Sequence, residues 1–183
     1  MAQASDDAPE IIVNRETSTI VGCDGAAALE IPPSASGLSQ RILSDHFRII
    51  ADTKSHRSIC GVFSEHAPFY YSVGNTLSGL PELVVCGFPP HIAGTLINTV
   101  SDALVALRRN GVYVHQETLD FGDGCRIKLR LLDAYQRKHL SIARVMNTYD
   151  FDAYQMIVPT KDGYYPGEDG YIGVPQSLDD IPL

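Results

Sequence analysis

The sequence predicts an α+β fold: a mixed, mainly antiparallel sheet covered by two amphipathic helices and preceded by an N-terminal extension. Three observations lead there. Short β-branched and aromatic runs, Phe69–Gly74 and Leu83–Gly87 among them, recur between Gly/Pro turn signals. Other stretches carry apolar residues at helical rather than strand spacing. A chain of 183 residues with 44% apolar and 20% charged residues suits one buried core better than two full domains.

Taken in order, residues 1–10 are small and polar, and two β-branched runs follow, Glu10–Asn14 and Thr17–Gly22. They are candidates for a hairpin, although Arg15-Glu16 between them lacks the usual turn chemistry. Asp24-Gly25 marks a turn and Pro32–Gly37 a linker. Ser39–Phe47 reads as a short helix with Leu38, Ile42, Leu43 and His46 near one face, and Phe47–Ala51 (F-R-I-I-A) as the first strand of the main domain. Ser58–Ser64 reads as a second strand.

The stretch Pro68–Arg109 is the scaffold. Phe69–Gly74 carries bulky residues on both faces, as a strand buried on two sides does. Asn75–Gly79 is a loop and Leu83–Gly87 the next strand. Pro89-Pro90 opens a helix in which Ile92, Leu96, Ile97, Val100, Ala103, Leu104 and Leu107 keep the three-and-four rhythm. Arg108-Arg109 suit its C-terminal dipole, and Asn110-Gly111 end it.

Beyond it, Val112–His115 reads as a short strand and Asp120–Gly124 as a turn. Arg126–Leu132 alternates, with Ile127, Leu129 and Leu131 opposite Arg126, Lys128 and Arg130, which predicts one buried face. Asp133 is placed to cap a second helix running to about Tyr149, and Ala153–Val158 is the last strand. The remainder is turn-rich.

Charge divides the chain into an acidic extension, residues 1–36 with net −5, a core domain, 37–160 with net +1, and an acidic Tyr/Gly/Pro-rich segment, 161–183 with net −4. The overall charge of −8 argues against nucleic acid as a partner, though the acidity sits mostly at the two ends. The start has neither the basic nor the apolar region of a signal peptide, and no apolar run approaches the ~20 residues of a membrane span, so a cytoplasmic protein is expected. Cys23, Cys60, Cys86 and Cys125 lie far apart without a C-x-x-C pair and read as reduced structural thiols. The six histidines show no metal spacing, so neither metal nor cofactor is expected.

Several short motifs carry a resemblance. They are S-V-G at Ser72–Gly74, P-E-L-V-V at Pro81–Val85, G-F at Gly87-Phe88, L-I-N at Leu96–Asn98 and Gly111, then Y-Q-M-I-V-P at Tyr154–Pro159, D-G-Y-Y-P at Asp162–Pro166 and P-Q-S-L at Pro175–Leu178. In these, from about His46 to Leu178, the chain resembles the uncharacterised bacterial and phage family called the DUF-four-two-six-two domain. It departs from that family where Gly167 follows Pro166 in place of a Trp, and where Pro159-Thr160 stands in place of Pro-Asp. The family has no established activity, so the resemblance implies a fold and a kind of organism, not a mechanism.

No residue pattern assigns a catalytic residue. Glu82 is a candidate general base or polar anchor, against the plainer role of satisfying N–H groups in the Asn75–Leu80 loop. Glu65-His66 is either an acid/base pair or an exposed loop dipeptide. Arg126, Lys128 and Arg130, roughly 7 Å apart on one strand face, suit an anionic ligand or are simply solvated. The Gly-rich pieces fit neither phosphate-loop nor dinucleotide templates. The candidate ligand-binding set is therefore Tyr71, Asn75, Glu82, Arg126, Lys128 and Arg130. Tyr164, Tyr165 and Tyr171 suit a contact surface, unless the tail packs on its own domain. The favoured reading is a non-enzymatic binding protein that meets a protein partner through its acidic, tyrosine-bearing ends, with a homo-oligomer left open. The alternative is a small-molecule site, for a nucleotide, flavin or sugar phosphate, between Ser72–Glu82 and Arg126–Arg130.

Overall fold

The computed structural model describes residues 12–14, 19–21, 29–30, 40–52, 57–62, 68–112, 118–122, 125–147 and 150–178. Near the N-terminus, β1 (Ile12–Asn14) and β2 (Thr19–Val21) pair antiparallel, and β3 (Leu29–Glu30) adds to β2. The two β-branched runs do pair with each other, and Leu29–Glu30 is a strand the sequence did not announce. The predicted Asp24-Gly25 turn and the Pro32–Gly37 linker lie outside the described residues.

The first helix corrects the sequence reading. Instead of a short helix followed by a strand over Phe47–Ala51, one helix, α1, runs from Gln40 to Asp52. Leu43, Phe47 and Ile50 are all buried, and their spacing of four and three continues a single helical stripe. The β-branched pair Ile49-Ile50 looks like strand in isolation, yet only Ile50 faces the core, whereas Ile49 is exposed.

Six strands form the main sheet: β4 (Ser58–Val62), β5 (Phe69–Val73), β6 (Glu82–Cys86), β7 (Thr118–Asp120), β8 (Arg126–Leu131) and β9 (Ala153–Ile157), in the order β4-β5-β6-β9-β8-β7. Among the described residues only the β6–β9 pair of this sheet is parallel. The centre is buried on both faces, with every residue of β5 and β6 inside. Residues 63–67, including the predicted end of the second strand and the Glu65-His66 pair, lie outside the described residues.

Side chains alternate across the sheet and build two cores. On one face Tyr70, Leu83, Val85, Ile127, Leu129 and Met156 pack against α2 (Pro90–Arg109) through Ala93, Ile97, Val100 and Leu104. On the other, Phe69, Tyr71, Val73, Val84, Cys86 and Ala153 meet α1, α3 (Ser141–Met146) and Leu178 from the C-terminal segment. Pro90 lies in the first turn of α2, as Pro89-Pro90 foretold, and Gly111 takes φ 74° just past its end.

Three further expectations change. Val112 is not in a strand, and the strand before the turn is β7 instead, with residues 113–117 outside the described set. Leu131 is 55% exposed, because β8 ends there and Leu132 turns inward in its place. The predicted helix from Asp133 to Tyr149 is broken: a single 3-10 turn spans Gln136–His139, Leu140 leaves helical geometry at φ −91° and ψ 57°, and only then does α3 begin. Asp133 accepts the Gln136 N–H at 2.8 Å, but that bond closes the turn leading into the 3-10 segment and caps no long helix.

Among the described residues no helix is long and apolar enough to cross a membrane. Cys60, Cys86 and Cys125 are free thiols.

Candidate functional site

The turn between β5 and β6 gathers polar side chains into the interior. Gly74 at φ 107° and Gly79 at φ 66° bound a 3-10 turn over Asn75–Ser78, left-handed positions that glycine alone occupies without strain. Glu82, the first residue of β6, has no exposed surface. Ser72 Oγ lies 2.5 Å from its Oε2 and also accepts the Leu83 N–H at 2.8 Å. Glu82 Oε1 accepts from the N–H of Gly74 at 3.0 Å and of Thr76 at 3.4 Å, and stands 3.2 Å from the Thr76 hydroxyl. Burial pushes the Glu82 carboxyl above the ordinary carboxylate range, and the contacts with Ser72, Gly74 and Thr76 oppose it.

Asn75, only 2% exposed, donates its Nδ2 to the Pro81 carbonyl at 3.2 Å and to Ser101 Oγ of α2 at 3.0 Å. The Thr76 hydroxyl is hydrogen-bonded to Asn147 Oδ1, and Asn147 Nδ2 donates to the Ala143 carbonyl at 2.9 Å. The turn is thus tied to α2 through Asn75 and to the end of α3 through Thr76. Chemically, the arrangement pins a loop from inside. Glu82, with no exposed surface, holds the Asn75–Leu80 loop from within through its bonds to the Gly74 and Thr76 N–H groups.

A second polar cluster lies where the segment after β9 folds back over β8. Lys128 Nζ stands 3.4 Å from the centre of the Tyr165 ring and 3.7 Å from Glu168 Oε1. The Tyr165 hydroxyl donates to the Arg126 carbonyl at 2.6 Å. Arg130 Nη2 donates to Gln155 Oε1 at 2.5 Å, and buried Gln155 donates its Nε2 to the Gln176 carbonyl at 2.7 Å. The Tyr171 hydroxyl donates to the Val174 carbonyl at 2.6 Å and accepts from Gln176 Nε2 at 2.9 Å. Leu178 is fully buried at the end of this strap.

The nine candidate residues therefore separate. Asn75 and Glu82 share the buried turn. Tyr71 is a core residue whose hydroxyl accepts the Ile142 N–H at 3.2 Å; burial first, then the neighbouring Cys60, hold its phenol above the ordinary value. Arg126, Lys128 and Arg130 line the outer part of the sheet. Strand register places Arg130 opposite Gln155 and Gln155 opposite Val84, so β9 intervenes and about 10 Å of sheet separates the two groups. Tyr165 and Tyr171 serve the strap's own bonds, whereas Tyr164 remains 43% exposed. Within the strap Ile172 is 93% exposed.

Reading the sequence missed Ser72, Thr76, Asn147, Gln155 and Gln176 as ties. Three of them stand inside quoted motifs, S-V-G, Y-Q-M-I-V-P and P-Q-S-L, where a polar residue amid apolar ones was the available signal. Among the described residues no group of three His, Cys, Asp or Glu is placed to hold a metal ion.

A family model described as "Domain of unknown function (DUF4262)" matches residues 53–172, from the approach to β4 well into the strap. No curated protein and no solved structure matches the chain.

Proposed function

The chain belongs to the DUF4262 family, a domain of unknown function, and on its geometry we propose that it is a non-enzymatic binding protein that engages a protein partner through its acidic, tyrosine-bearing terminal segments. The observation that carries this reading is Ile172. A free tail would hide or average such a side chain. Here the flanking bonds of Tyr171, Val174 and Gln176 fix the backbone while Ile172 projects with 93% of its surface exposed. Tyr164 and Val174 add exposed apolar surface on the same segment. Asp162, Glu168 and Asp169 precede Ile172 in sequence and Asp179-Asp180 follow it, and residues 161–183 carry net −4, so the complementary partner surface is apolar at its centre and basic at its rim. Residues 1–36, with net −5, are the second acidic arm of the same proposal.

The test is cross-linking in the native cell followed by mass spectrometry, comparing the full chain with an Ile172→Asp variant whose fold is checked by circular dichroism. Loss of specific partners in the variant is expected. Capture of an identical partner set by both proteins would overturn the reading.

A further inference from the structure

Thr76 has one hydroxyl hydrogen and two neighbours that would each take it, Glu82 Oε1 and Asn147 Oδ1. The Asn147 amide is oriented by the Ala143 carbonyl, to which its Nδ2 donates at 2.9 Å, so the oxygen that faces Thr76 is an acceptor. The Thr76 hydrogen therefore belongs to Asn147, and a lone pair of Thr76 Oγ1 faces Glu82 Oε1 at 3.2 Å. Two facing lone pairs repel; a hydrogen on the carboxyl turns that contact into a bond. Glu82 also lacks a cation to balance a charge. The side chains turned toward it from β5, the 74–79 turn and the end of α3 are Ser72, Thr76 and, behind Thr76, Asn147; α2 contributes Ser101 through Asn75. From the start of β9, Asp152 accepts the Glu82 N–H on its backbone carbonyl but turns its carboxylate outward to Arg137 at 3.8 Å.

From this hydrogen count we propose that Glu82 is carried in the folded protein as a neutral carboxylic acid at neutral pH, donating to Thr76 Oγ1, and that its proton sets which way the Thr76 hydroxyl points. In the neutral state the relay runs Glu82 to Thr76 to Asn147 and fastens the β5–β6 turn to α3. When alkali removes the proton to water, Glu82 Oε1 becomes the stronger acceptor, and the Thr76 hydrogen swings to it. Asn147 Oδ1 then loses its donor, and α3 is released from the turn. Burial, which favours the neutral form, works in the same direction. The device is a conformational latch within the fold, independent of what the strap binds.

The experiment follows the carboxyl carbon of Glu82 by NMR in full-length protein with labelled glutamate, alongside the side-chain amide of Asn147, as pH is raised. The expected result is a neutral-acid shift for Glu82 at neutral pH, with the Asn147 amide moving at the same midpoint. Glu82→Gln, which supplies an N–H donor in place of the proton, should fold and leave the Asn147 amide insensitive to pH. An ionised Glu82 shift at neutral pH would overturn the proposal, as would an Asn147 amide that ignores the Glu82 midpoint. Should the variant fail to fold, the wild-type titration, assigned through backbone correlations, decides alone.

Discussion

The side-chain amide of Gln176 binds Val158 as a neighbouring strand would: the Val158 N–H donates to Gln176 Oε1 at 2.9 Å, and Gln176 Nε2 donates to the Val158 carbonyl at 2.8 Å. One side chain thereby satisfies both backbone groups just past the end of β9 and fixes the strap that carries Ile172. Gln176→Ala leaves these groups and the Tyr171 hydroxyl short of partners in a largely closed site. It should cost about 2 kcal/mol in denaturant unfolding. Faster hydrogen exchange at the Val158 amide is the specific readout, and unchanged protection there would contradict the tie.

The strap also depends on Gly87. That residue holds φ 81°, and a Cβ built there would stand 2.3 Å from the Pro175 carbonyl oxygen. The obstacle is backbone, so it cannot rotate away. Gly79 has a similar φ of 66°, but the obstacle there is the end of the Arg108 side chain, which can move. Gly79→Ala should therefore cost about 1 kcal/mol, the conformational term with little else. Gly87→Ala should cost more and expose residues 160–178 to proteolysis. Equal losses for the two variants would show that the close approach of the strap is unimportant.

The central strands and α2 were legible because every step of their pattern agrees: β-branched runs, turn residues, a Pro start and a steady apolar stripe. The F-R-I-I-A segment was not, because its local preference is for strand. What makes it helix is the alignment of Phe47 and Ile50 with Leu43 against a core assembled from distant strands. The ends of the turn motif could be read in the sequence, and Glu82 was picked out by its place after Pro81. The ties that explain it could not: Thr76 meets Asn147 across 71 residues, and no local spacing announces such a pair. The strap's Gly and Pro content suggested irregular chain, which is correct of its backbone and silent about how firmly Gln155 and Gln176 hold it.

Arg57 and Asp102 form a lopsided pair. The guanidinium side chain is 4% exposed and the carboxylate 70%, with Nη1 and Nη2 both on Asp102 Oδ1 at 2.9 and 3.0 Å. Nη1 also reaches the carbonyl and Oδ1 of Asn98, each at 3.4 Å. Removing Asp102 takes two charge-assisted hydrogen bonds from a buried guanidinium, so Asp102→Ala should cost about 2 kcal/mol, above the ~0.2–1 kcal/mol usual for an exposed ion pair. Arg57→Lys keeps the charge but loses the fork, and should also destabilise. A double-mutant cycle by urea unfolding measures the coupling; a loss within about 0.5 kcal/mol for Asp102→Ala would mark the pair as an ordinary surface contact.

His46 supplies the acid-side prediction. Its Nδ1 lies 2.8 Å from Ser58 Oγ, which joins α1 to β4. Burial lowers the His46 pKa below its ordinary value of 6.5, and Asp45 only partly restores it. The folded state thus takes up the proton less readily than the unfolded chain, so in the window below 6.5 the unfolded state binds more protons. The stability tied to this site is fully present above that value and is lost as pH falls through the lowered folded pKa. Because the imidazole is only half-buried, the effect should be modest, a downward drift in thermal midpoint that sets in as pH falls below 6.5. His46→Asn keeps a polar atom near the Nδ1 position and removes the titration. It should flatten that drift specifically, while the loss of stability at lower pH, which the carboxylates govern, persists. If the variant and the wild type drift in parallel through the window, the charge state of His46 is not coupled to folding.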